Sequence, residues 1–254
     1  MAKYIDPPNI SKTLKENVKR LPIVLCEDIS ASMKTKQKLM NEQLMQFFEI
    51  KEYEPAVCRR TDLTIVQFND KVSNSESCSL DKYIFKPFLA SCMSGTTHLW
   101  SALEKALEIC ETYIGNPRYW APWILLYTDG FANDEEDEVK ERVLKKLQEH
   151  EKNNELVIFI LGIGAENSED DELNIEELNE ISLRGPKIVL HAKNQELDIA
   201  RFFQVMIRTI TQTVRGMNYV IRTKDGNRQQ ALDELIDAVS RMHQEEREKA
   251  NGHR

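Results

Sequence analysis

In the stretch "LPIVLCEDISASM", Asp28, Ser30 and Ser32 place one acid and two alcohols at alternate positions directly after a buried apolar run. A second apolar run, "WILLYTDG", also ends in a carboxylate, Asp129, and "SGTTHLWSAL" sets Gly95, Thr96 and Thr97 just before a segment of helical periodicity. Carboxylate and hydroxyl oxygens are hard donors, the kind that Mg²⁺ accepts while it retains several waters. Ser30, Ser32 and one threonine can ligate directly while Asp28 and Asp129 hold coordinated waters. Neutral direct ligands would leave the ion most of its charge, and therefore an appetite for a carboxylate from outside. The metal expected is Mg²⁺, with Mn²⁺ or Ca²⁺ as alternatives. Thr96 and Thr97 both offer that threonine hydroxyl. The competing reading of Asp28 and Ser30 is helix capping, which both residue types do routinely. His98 reads as a neighbour of the site, because imidazole suits softer metals.

These residues need elements to bring them together. The run Ile23 to Cys26, "TDLTIVQFN", "WILLYTDG", "ELVIFILGIG" and "PKIVLHA" read as strands, and "SCSLDKYIFKPF" as a shorter strand region. Between them "KTKQKLMNEQLMQFFEI", "HLWSALEKALEICETYI", "DEEDEVKERVLKKLQEH", "IEELNEIS" and "ELDIARFFQVMIRTITQTV" carry helical spacing. Strands alternating with helices imply a doubly wound α/β fold, a mostly parallel sheet with helices on both faces. In such a sheet the strand tips and the starts of the following helices share one edge, where distant residues meet. Asp28 and Thr97 are expected to be exposed there. The expected organisation is an N-terminal extension (1–20), one domain (21–216) and a C-terminal extension (217–254) with an amphipathic helix carrying Leu232, Leu235, Ile236, Val239 and Met242.

Composition narrows the function. Lys+Arg 34 against Asp+Glu 42 leaves a formal charge of -8, which argues against nucleic acid as the partner. The N-terminus has no apolar signal core and no run reaches membrane-spanning length, so the expected location is the cytoplasm, with no membrane partner. Five cysteines without C-x-x-C spacing read as reduced packing residues. The acidic runs Asp134 to Glu138 and Glu166 to Glu172 follow strand tips and either start helices or form a negative rim on the metal's edge.

The three motif elements together resemble the von Willebrand factor A domain, whose metal-ion-dependent adhesion site reads D-x-S-x-S, then T, then D. "DISASM", Thr97 and Asp129 match it, over a resemblance spanning about Leu21 to Arg215. Within that family the chain looks most similar to the intracellular bacterial type associated with tellurite-resistance and related stress operons, on Leu21-Pro22 and Phe202-Phe203. It departs at Ala31, where glycine is frequent, and at Trp100, where a small residue is common and an indole could narrow or cap the site. The resemblance implies a protein interaction module rather than an enzyme. An aspartate or glutamate of a partner protein would complete the metal shell. Two alternatives stand beside it: a metal-dependent phosphatase or hydrolase with Asp28 as nucleophile, and a structural assembly subunit with a vestigial site. The phosphatase reading lacks a second acid two residues after Asp28 and a supporting lysine, and a serine hydrolase lacks the G-x-S-x-G elbow.

Overall fold

The structure, a computed structural model, describes residues 18–133, 137–163, 174–182, 187–190, 203, 206–211 and 213–215. The two terminal extensions, apart from residues 18–20, and the acidic run at 166–172 lie outside the described residues.

Strand β1, Leu21–Asp28, is buried at all eight positions, as its near-continuous apolar run requires of a central strand covered on both faces. A 3₁₀ turn, Ala31–Lys36, intervenes before helix α1, Gln37–Phe48. Two short helical turns follow, and then β2, Thr61–Phe68, with its antiparallel partners β3, Val72–Asn74, and β4, Cys78–Ser79. Helix α2 spans Leu99–Glu111, β5 Trp123–Thr128, α3 Asp137–Lys152, β6 Val157–Ile163, α4 Ile175–Ile181 and β7 Lys187–Leu190. The sheet order is β3-β2-β1-β5-β6-β7, with β4 beside β2, and the pairings β1–β2, β1–β5, β5–β6 and β6–β7 are all parallel.

Two cores flank this sheet. On one face Met40, Leu44 and Phe47 of α1 pack with Phe203, Met206 and Ile210 over the odd residues of β1. On the other, Leu99, Leu103, Ala106, Leu107 and Cys110 of α2 join Val143 and Leu147 of α3 and Leu178 of α4 over Val24 and Cys26. The i, i+4, i+7, i+8, i+11 spacing in α2 is the apolar stripe that its sequence shows. Every described cysteine is free. No described helix is long and apolar enough to cross a membrane.

The segment "SCSLDKYIFKPF" differs from its reading as a strand. Only Cys78–Ser79 pair with β2, and Leu80–Lys82 form a 3₁₀ turn. The chain is then held by side chains instead of a ladder. Phe85 stacks on Phe48 at 5.3 Å, and Asn41 bonds both backbone groups of Phe88. The short β3 had no reading of its own.

Candidate metal centre

The parallel register sets the tips of β1 and β5 side by side, with Glu27 opposite Tyr127. Asp28 closes β1 and Asp129 follows β5 directly. Asp28 is fully buried, which corrects the expectation of an exposed tip: the loops after β1 and β5 and the segment before α2 fold over it. Both of its oxygens are engaged. Oδ1 accepts the Ser30 amide at 2.9 Å, and Oδ2 accepts the Thr128 hydroxyl at 2.6 Å. Thr128 Oγ1 in turn accepts the Gly130 amide at 3.1 Å, so one hydroxyl ties the two strand tips together. Burial, with the nearby Asp129 charge adding to it, pushes the Asp28 carboxyl up to about 6 against the pull of these hydrogen bonds.

Ser30 is buried and its hydroxyl lies 3.0 Å from that of the exposed Ser32. Ser30 occupies the N-cap position of the 3₁₀ turn and makes no side-chain cap bond, so its hydroxyl is not spent on capping. Thr97 is buried too, again contrary to expectation, whereas Thr96 is exposed. Backbone bonds fasten its loop to the β1 tip: Ser94 N–H to Ile29 O at 3.1 Å and Ala31 N–H to Gly95 O at 3.2 Å. Gly95 has φ +82, a left-handed conformation that glycine adopts without strain. Asn133, beyond Asp129, completes the lacing: its side chain accepts the Thr97 amide at 3.0 Å and its amide donates to Thr97 O at 2.7 Å. The backbone thus gathers all five candidate residues at one edge of the sheet. The half-buried His98 is the N-cap of α2 and makes no side-chain cap bond.

Trp100 does not cap the site. It is buried in the core beneath α2 and donates its indole N–H to Glu177 at 3.0 Å, with the Lys140 ammonium 5.1 Å from the ring. A large residue fits here because α4 supplies the acceptor that a buried indole needs.

Three features escaped the sequence reading. Thr128 stands beside Asp129 in "YTDG", within the run read as a strand, and had no reading of its own. Lys36, four residues after Ser32 on the same turn, is buried, with Nζ 3.7 Å from Asp129 Oδ2 and 3.5 Å from Ser32 O; this is a lysine that the sequence alone did not bring to the site. Glu27 is a buried carboxylate on the opposite face, with one oxygen bonded by Gln67 at 3.2 Å and the other without a partner. Burial lifts Glu27 to about 8.

The donor set fits a hard divalent ion. Asp129 is 1% exposed and its Oδ2 makes no hydrogen bond among the described residues, its ion-pair partner Lys36 standing 3.7 Å away; a buried carboxylate oxygen without a hydrogen bond is rare in a folded protein unless a ligand or water serves it. Two hydroxyls beside buried acids match the oxygen preference of Mg²⁺. No described group of three or more His, Cys, Asp or Glu side chains is arranged to hold a metal, so any site here relies on its hydroxyls.

No family model and no curated protein matches this chain. Solved structures do. A von Willebrand factor type A protein from Catenulispora acidiphila matches with a TM-score of 0.53 at 15% identity, over 76% of this chain and 42% of its own. The pilus adhesin SpaC from Lactobacillus rhamnosus GG matches at 0.58 and 11%, over 78% of this chain and 31% of its own. BatB from Bacteroides thetaiotaomicron matches at 0.50 and 15%, over 77% and 99%. The chain thus spans less than half the length of the first two. At these identities the likeness is one of fold, and the fold is that of von Willebrand factor A domains.

Proposed function

We propose that this chain is a non-enzymatic, Mg²⁺-dependent protein interaction module. Ser30, Ser32 and Thr97 would hold the ion directly, Asp28 and Asp129 would hold its waters, and an Asp or Glu of a partner protein would complete the shell. The ion supplies a Lewis-acidic anchor for that carboxylate. The observation that carries the reading is the buried, unbonded Asp129 oxygen at the edge that also gathers the Ser30–Ser32 hydroxyl pair at 3.0 Å. The chain's own residues position: Thr128 holds Asp28, and Asn133 holds the Thr97 loop. Asp28 is a poor nucleophile because it is fully buried with both oxygens engaged, which favours binding over the phosphatase alternative. Following the resemblance drawn from sequence, the proposed setting is a cytoplasmic bacterial stress or defence complex of the tellurite-resistance type. A rim formed by the acidic runs would select for a partner whose key carboxylate sits in a neutral or basic surface.

A melting series in EDTA, Mg²⁺ and Ca²⁺, with a phosphoester hydrolysis assay alongside, tests this. Mg²⁺ is expected to raise the melting temperature more than Ca²⁺, because a small hydroxyl site suits octahedral geometry. Asp28→Asn and Ser32→Ala should lose the shift. No shift with any divalent ion counts against the site, and Mg²⁺-dependent hydrolysis lost in Asp28→Asn would make the chain an enzyme.

A further inference from the structure

Lys36 is a charged residue of this edge that the metal reading does not use. It sits on the 3₁₀ turn that carries Ser32, is 5% exposed, and brings its ammonium within 3.7 Å of Asp129 Oδ2 and 3.5 Å of Ser32 O. Both contacts belong to residues assigned to the ion, one through its side chain and one through its backbone. We infer that Lys36 is a tethered cation that competes with the divalent ion for Asp129, so that the metal affinity of this chain is set by displacing its own lysine. This rests on the metal-dependent reading above and adds its regulation.

The physical case is one of like charges sharing one pocket. A buried carboxylate is costly unless paired, and Asp129 shares this edge with the equally buried Asp28. Lys36 offsets that charge when no ion is bound. A divalent ion would satisfy the same oxygen through the water that Asp129 holds for it, and would repel the ammonium. Loading therefore needs the ammonium to leave Asp129, which a flexible four-carbon stem allows. Across 3.7 Å, such an attraction lies between roughly sevenfold in an equilibrium constant at the dielectric of bulk water and on the order of a thousandfold at an effective dielectric of about 20, so a tenfold effect belongs to its solvent-screened end.

Two measurements on the full chain separate this idea from the site reading. In EDTA, with no ion present, Lys36→Met should lower the melting temperature, because Asp129 loses its partner; Lys36→Gln serves as a second variant should the first misfold. An unchanged melting temperature in both overturns the pairing whatever the metal does. In calorimetric titration with MgCl₂ and with MnCl₂, Lys36→Met should bind about tenfold tighter than the parent, while Lys36→Arg stays weak and Asp129→Asn in the Lys36→Met background loses the gain. Parent and Lys36→Met binding with equal affinity overturns the competition and leaves the metal site standing. If neither binds, the site reading falls and the competition with it.

Discussion

Glu27 and Asp28 are adjacent carboxyls that face opposite sides of the same strand end, and their environments set them apart. Asp28 has two hydrogen-bond donors and stays near 6, whereas Glu27 has one donor, an unbonded oxygen and full burial, and rises to about 8. A carboxyl raised in the folded state contributes stability that is fully present below its unfolded value, 4.5, and that contribution is lost as pH rises through about 8. Glu27→Gln removes the titration while keeping the shape and an oxygen to accept from Gln67. The variant should match the parent near pH 4.5 and become progressively more stable above it, by on the order of a few kcal/mol at pH 9. Chemical denaturation at several pH values checks this; a difference independent of pH would mean that Glu27 is not forced to ionise in the core.

Among the elements, the turn after β5, against which the start of α4 packs, shows how closely the site and the core are coupled. Gly130 has φ +85, and a Cβ there would lie 2.8 Å from Leu178 Cγ and 2.9 Å from the Asn174 carbonyl. The same carbonyl side of the turn receives α4: Asn174 N–H donates to Asp129 O at 3.0 Å, and the Asn174 side chain accepts the Glu177 amide as an N-cap. Gly130→Ala meets both a strained backbone and an immovable carbonyl, and should cost about 1–3 kcal/mol. It should also weaken the Mg²⁺ melting shift, because Asp129 must move with the turn. Scanning calorimetry with and without Mg²⁺ reads both effects. Loss of stability with a full ion-dependent shift would show that the turn and the metal edge are independent.

At the scale of the whole molecule, the described residues form a sheet with a core on each face. Leu103 lies on α2, fully buried between Val24 of β1 and the neighbouring helices' core. Leu103→Ala opens a cavity beneath the helix that Thr97 precedes, with an expected loss of about 2–5 kcal/mol and a fall in melting temperature of roughly 4–20 °C for a chain of this size. The Mg²⁺ shift should survive, since Leu103 contributes nothing to the loops that carry the oxygens. Thermal unfolding with and without Mg²⁺ measures it, and a shift abolished along with the stability would mean that the helix, and not its preceding loop, holds the site.

By itself the sequence determined the alternation of strands and helices, the burial of the β1 run, and the edge at which the Asp28, Thr97 and Asp129 segments meet. Those follow from apolar periodicity and from the rule that parallel strands present their tips on one side, both of which are local or topological. Burial was decided only in three dimensions. Asp28 and Thr97 end elements and so read as exposed, but the loop of Ser94 to Thr97 and the side chain of Asn133 close over them. Trp100 read as an obstruction because its acceptor, Glu177, is distant in sequence. Lys36 had no reading of its own within the segment expected to be helical, and in the structure it lies on a 3₁₀ turn with its ammonium 3.7 Å from Asp129. Periodicity records which face a residue lies on; which distant charge it meets there depends on the packing of segments that the sequence keeps apart.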